Sequence, residues 1–225
     1  MIQAQLNREI GAFAAAMDEL YGHYLDSING FQKIHQFIVD GQKEAKRLLP
    51  PGIDLDSREL IIGCGDPADP SHFIQHRTTQ GQFKNRNARG GQNCIRAAQL
   101  LIVLIYSFWE TRYRSSIAAA LGLKDTSALK VPLVGDLRLL RNDIVPCSGR
   151  IQKETAAKLE IMTHFKEGDE IVLKEDAVHT LVQDLKAALD SLVVHAGGVD
   201  PHHRTVWQIH GGTVRPKTEI YETDL

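Results

Sequence analysis

Between residues 3 and 49 apolar side chains return every three or four positions: Leu6, Ile10, Phe13, Met17, Leu20, Tyr24, Ile28, Phe31, Ile34 and Ile38. This near-heptad period predicts a long helical segment with one apolar seam. Gly22 and Gly30 lie inside it, so two helices or one bent helix satisfy the pattern. The seam would cover either the chain's own domain or a second subunit. Pro50-Pro51-Gly52 ends the segment.

Residues 50–91 break the period and read as a connection of mixed character. Glu59-Leu60-Ile61-Ile62 fits a short strand or a helical turn, and Asp66-Pro67-Ala68-Asp69-Pro70 is turn chemistry. The part from Gln80 to Gln92 is rich in Gly, Asn and Gln and is expected to be mobile. Helical character returns from Gln92 to Leu123, apolar on most sides at first and amphipathic after Trp109. Gly122 is its expected cap. Leu133, Leu137, Leu140 and Ile144 then form the buried stripe of a further helix. Ile161–Phe165 and Glu170–Leu173 flank Lys166-Glu167-Gly168-Asp169, which predicts a small β-hairpin. Glu175 to His195 is the last helix, with Val178, Leu181, Leu185, Leu189 and Leu192 inward. Residues 196–225 are polar and are expected to be an extended or disordered tail. The fold class is all-α: a helical bundle with a long N-terminal helix and a hairpin insertion before the last helix. Its parts are 1–49, 50–91, a core at 92–195, and the tail.

Composition changes this picture little. The 225 residues carry a net charge of −2, which points to neither nucleic acid nor membrane. The charge is locally uneven, however. From Ser71 to Trp109 no acidic residue occurs, while Arg77, Lys84, Arg86, Arg89 and Arg96 do. A basic segment of this kind is a candidate phosphate-contacting surface. Cys64, Cys94 and Cys147 are widely spaced and odd in number, which fits a reducing cytoplasm better than a disulfide framework. The first residues lack the pattern of a signal peptide, and the apolar run from Ala97 to Phe108 is too short to span a bilayer.

Most local chemistry is weak. His72 and His76 stand at i, i+4 without a third ligand, and His202-His203 are neighbours whose side chains diverge. No metal or cofactor is expected. Neither G-x-x-x-x-G-K-[ST] nor G-x-S-x-G occurs. What stands out is Gly135 to Arg150. Arg138, Arg141, Asn142 and Val145 share the face opposite the leucine stripe. Guanidinium and amide groups suit phosphate and base recognition. A solvated polar face, with Asp143 pairing one arginine, is the plainer reading.

Leu-Arg-Leu-Leu-Arg-Asn-Asp-Ile-Val, followed by the polar turn Ser148-Gly149, resembles the signature helix of the HEPN superfamily. The resemblance extends to Phe108–Arg114, to His164–Ile171 and to the last helix, so it covers roughly residues 92–195. It implies an all-helical domain of the kind found in metal-independent ribonucleases of toxin–antitoxin and phage-defence systems. Arg141 would be the catalytic arginine and Asn142 its polar companion, at a composite site between two subunits. Arg138, Arg77, Lys84, Arg86, Arg89 and Arg112 would contact nucleic acid.

The motif's histidine would fall at 146, 147 or 148, where this chain has Pro146, Cys147 and Ser148. Proline has no titratable group. It should also end or kink the helix and push Val145 away from helical geometry. Three readings follow. The first is a cytoplasmic homodimer that binds RNA or nucleotide without cleaving it, with a neutralising or effector protein as a further partner. The second is an active endoribonuclease with a substitute base such as Cys147 or His164. The third is a structural or regulatory dimer working through its N-terminal helix.

Overall fold

The computed structural model describes residues 2–66, 69–70, 73–195, 206–210 and 213–217. The chain is mostly helical. Helix α1 spans Ile2–Leu48 without a break at Gly22 or Gly30. Strands β1 (Glu59–Cys64) and β2 (Phe73–Thr79) pair antiparallel, with a bulge between Ile62 and Gly63. Helix α2 (Gln80–Arg86) follows at once, then α3 (Gln92–Phe108), a π-helical turn (Trp109–Tyr113) and α4 (Arg114–Ala120). After a short 3-10 turn come α5 (Pro132–Ile144), α6 (Lys153–Ala156) and α7 (Glu175–His195). Strands β3 (Val206–His210) and β4 (Thr213–Lys217) form an antiparallel pair within the tail.

The chain divides into two compact units. Unit 1 is Met1–Gly22 with Ala98–Leu225. Its core collects Leu6, Phe13 and Met17 of α1, Ile102 and Ile105 of α3, Leu137 and Leu140 of α5, and Leu185 and Leu189 of α7, all nearly inaccessible. Phe13 stacks on Tyr113 at 4.7 Å and tilts against Trp109 at 5.7 Å between ring centroids. The first half of the α1 seam is therefore spent inside its own chain. Lys186 of α7 bonds Asp18, and Tyr21 Oη lies 3.2 Å from His179 Nδ1, fastening the same pair of helices at the surface. In the π-turn the Arg114 N–H reaches back to the Trp109 carbonyl. The widened turn leaves Trp109, Tyr113 and Ile117 all buried. Gly122, at φ 72°, caps α4 as expected, with the Leu123 N–H on the Ala118 carbonyl at 3.0 Å.

The helical run extends from Gln92 to Ala120, longer than the apolar run alone indicates. By length and composition it could cross a membrane, at a mean hydropathy of 1.3. One side of it, with Ile102, Ile105, Trp109 and Ile117, lies in the core of unit 1.

The hairpin expected over 161–173 does not form. Residues 168–171 pair instead with 149–151: Ile171 N–H to the Gly149 carbonyl at 2.8 Å, and Ile151 N–H to the Asp169 carbonyl at 2.9 Å. A single bridge joins Arg150 and Glu170. The N–H groups of residues 160–162 go instead to the Asp136 carboxylate described below, and the Phe165 N–H bonds the Met162 carbonyl at 3.2 Å. Those donors are therefore not offered to a ladder.

Unit 2 is His23–Ala97. The stretch read as a mobile basic loop is ordered. Thr79 and Gln82 form a capping box at the start of α2, each side chain taking the other's backbone N–H. Behind it, Asp56 accepts from Lys84 Nζ at 2.6 Å and from Gln42 Nε2 at 2.7 Å. These bonds hold the Asp56 carboxyl below its usual range, Lys84 being the largest cause. Gly81 approaches so closely that an added Cβ would lie 2.9 Å from Asp56 Cβ. Only glycine permits that contact.

Candidate nucleic-acid interface

Helix α5 begins with Pro132 in its first turn, where the missing N–H is harmless. Leu133, Leu137 and Leu140 are buried, and so are two carboxylates, Asp136 and Asp143, seven residues apart on the same side. Asp136 accepts three backbone N–H groups, from Glu160 at 2.9 Å, Ile161 at 2.8 Å and Met162 at 2.7 Å. Asp143 accepts the Gln152 N–H at 2.8 Å. Both charges are therefore compensated by the segment that follows the helix.

This decides what faces outward. Arg138, Arg141 and Asn142 are exposed. Arg141 Nη1 donates to Asn142 Oδ1 at 3.1 Å, and Asp143 is turned away from it. The pairing of an arginine with Asp143, which the plainer sequence reading invoked, does not occur for Arg141. Arg138 has no ion pair among the described residues. The face thus shows two guanidinium groups and an amide, neither guanidinium in an ion pair among the described residues, although Arg138 also borders a cleft lined by Glu110 and Glu160.

The helix stops at Ile144, as Pro146 requires. Val145, however, keeps right-handed helical angles, φ −74° and ψ −59°. The expectation that proline would push it out is wrong. The Val145 N–H still bonds the Arg141 carbonyl at 3.2 Å, and one residue before proline can stay helical when the chain turns directly afterwards. That turn is tight: the Asp143 carbonyl accepts from both Cys147 and Gly149, and Ser148 and Gly149 have φ of 55° and 78°. An added Cβ on Gly149 would fall 2.4 Å from Gln99 Nε2, which itself bonds the Ile171 carbonyl at 2.9 Å.

Pro146 is exposed and Cys147 half-buried. His164 carries the other substitute-base role considered above. Partial burial, reinforced by Lys166, pushes its pKa down, and its ring lies 4.3 Å from Phe165. Its described contacts are local and do not include Arg141 or Asn142.

Of the remaining basic residues, Arg77, Lys84, Arg86 and Arg89 belong to unit 2 and Arg112 to unit 1. Lys84, expected on nucleic acid, bonds Gln42 at 3.0 Å and Asp56 at 2.6 Å. Arg77 bonds Glu59 at 3.0 Å across the β1–β2 pair. Arg86 donates to His76 Nε2 at 2.9 Å and lies over the Phe83 ring. Arg77, His76 and Arg86 border one shallow depression of unit 2. Arg89 is exposed beyond α2. Arg112 sits on the π-turn over the Tyr113 ring. His76 lies on a strand, not a helix, which removes the helical His72/His76 pairing; His72 and His202-His203 lie outside the described residues.

Sequence reasoning passed over Tyr106 and gave no site role to Glu110 or Arg114 of the Phe108–Arg114 stretch; the three are spaced by four along one helical run. Tyr106 Oη and Arg114 Nη1 both donate to Glu110 Oε2, each at 3.2 Å. Their i, i+4, i+8 spacing was the available signal. No protein-family model, curated protein or solved structure matches this chain.

Proposed function

We propose that this is a HEPN-like RNA-binding protein whose α5 face grips phosphate through Arg138, Arg141 and Asn142, and which does not cleave by the histidine-dependent route. The observation that carries the reading is the withdrawal of Asp143 onto Gln152, which leaves Arg141 and Asn142 exposed without a neutralising carboxylate among the described residues. Arginine in that state binds phosphate oxygens in a forked geometry and releases counterions from the nucleic acid. With Pro146, Cys147 and Ser148 at the motif positions, no imidazole stands there to activate a 2′-hydroxyl.

A homodimer bringing two α5 faces together fits the same reading. Leu100 and Phe108 on α3 and Val145 after α5 are exposed apolar groups within unit 1 that a second copy would cover. A role in a defence or toxin–antitoxin system, with a neutralising or effector protein as partner, belongs to the proposal through the motif alone.

The test is RNA binding measured across a salt series. Wild-type affinity should fall steeply with salt, and Arg141→Ala should weaken it by roughly tenfold and flatten the slope. Binding unchanged by Arg141→Ala would remove the α5 face from the interface. Cleavage abolished by the same substitution would replace this reading with that of an active endoribonuclease.

A further inference from the structure

Beside the exposed face, and within unit 1, a cleft of about 310 Å³ opens between the π-turn and the start of α5. It is at the small end for small-molecule sites, which run about 300–1,000 Å³. Two features mark it as more than a gap. Arg114 Nε is shut off from solvent and has no acceptor among the described residues, although the same guanidinium holds Glu110. A charged donor left so is costly and recruits an acceptor when one is offered. Across the cleft stands Gly135, where an added Cβ would meet nothing within 4 Å. Glycine weakens a helix interior relative to alanine, and here no steric contact demands it. A larger side chain at this position would have room to enter the cleft that Gly135 lines.

The lining decides the ligand class. Arg114, Arg138 and Lys130 are set against two carboxylates, Glu110 and Glu160, so the site lacks one negative charge. Glu110 is already engaged by Tyr106 and Arg114. Arg138 has no such partner among the described residues. The back wall is apolar, from Trp109, Leu129 and Val134.

We propose that this cleft binds a small monocarboxylate with an apolar body, its carboxylate on Arg138 and its body against that wall. A carboxylate matches a guanidinium fork with two parallel hydrogen bonds. A phosphate dianion would overfill the charge balance and face Glu110 and Glu160. The proposal goes beyond the RNA reading: the cleft shares Arg138 with the RNA-contacting face, but Arg141 and Asn142 do not line it.

The test is calorimetric titration of the full chain with a panel of alkyl and aryl monocarboxylates, hydrocinnamate among them. Its neutral amide and phenyl phosphate serve as comparisons. Saturable binding of a carboxylate is expected, with the amide and Arg138→Gln each weaker by about tenfold or more. Gly135→Leu should fill the cleft and abolish binding while its melting curve stays cooperative. Methionine at the same position is a second, uncharged filling variant, should leucine fail to fold. The proposal is overturned if no carboxylate binds, if the amide or phenyl phosphate binds as tightly, or if the filled variant binds like wild type. RNA binding by Gly135→Leu is measured in parallel and should match wild type. Loss of carboxylate binding alone would thus leave the α5–RNA reading standing.

Discussion

The carboxylate of Asp143 takes the backbone N–H of Gln152 at 2.8 Å, so the residue after Asn142 points inward while Asn142 itself stays exposed beside Arg141. One hydrogen bond thereby separates a scaffold residue from a candidate site residue next to it in the chain. The lateral order of α5 follows from such choices.

In the proposed HEPN-like reading, Pro146 takes a position where the motif has its histidine. Pro146→His restores a titratable ring and a backbone N–H for the Asn142 carbonyl. Cleavage of RNA should appear or rise in the purified variant, on gels of labelled transcripts. A variant that cuts no RNA tested would show that the turn after α5 lacks the geometry of the ribonucleases.

Asp136 holds the Glu160–Met162 backbone by three charge-assisted bonds. Asp136→Ala should destabilise the protein by about 3 kcal/mol, because buried donors lose their acceptor together. Asp136→Asn keeps one acceptor oxygen and should cost less. Denaturant midpoints that coincide for the three proteins would contradict this role.

Two glycines should respond in opposite directions. Gly149→Ala meets Gln99 and a left-handed φ, so a loss of about 2 kcal/mol or more is expected. Gly135→Ala adds a methyl to open space in a helix and should gain about 0.5–1 kcal/mol. Paired thermal melts decide both.

Burial on α7 pushes the Asp184 carboxyl up to about 7 from its ordinary 3.8. Between those values the folded state keeps a proton that the unfolded chain releases. Stability therefore falls as pH rises through that window, and below it both states are neutral. Asp184→Asn should raise the melting temperature above about pH 7, and the difference should vanish below about pH 4. A difference constant with pH would mean that the effect is one of packing.

Nearest-neighbour spacing was enough for the long elements. The α1 seam, the leucine stripe of α5, the stop before Pro146, the Gly122 cap and the inner face of α7 all follow from periodicity and local backbone chemistry. These are short-range, so they can be read along a line of text. Even α2 had its signal, since Thr79-x-x-Gln82 is a capping box, but the Gly, Asn and Gln content around it argued for a loop.

Long-range pairing was not legible in the same way. Residues 170–171 pair with 149–151 and not with their neighbours, because Asp136 claims the backbone of 160–162. Asp56 and Gln42 meet Lys84 from distant positions. Arg114 and Arg138 share a cleft that no spacing connects. The residue types at the α5 surface were determined by sequence. Which charges are neutralised, and which stay free to meet a ligand, was decided only when the chain brought donors from elsewhere to the buried carboxylates.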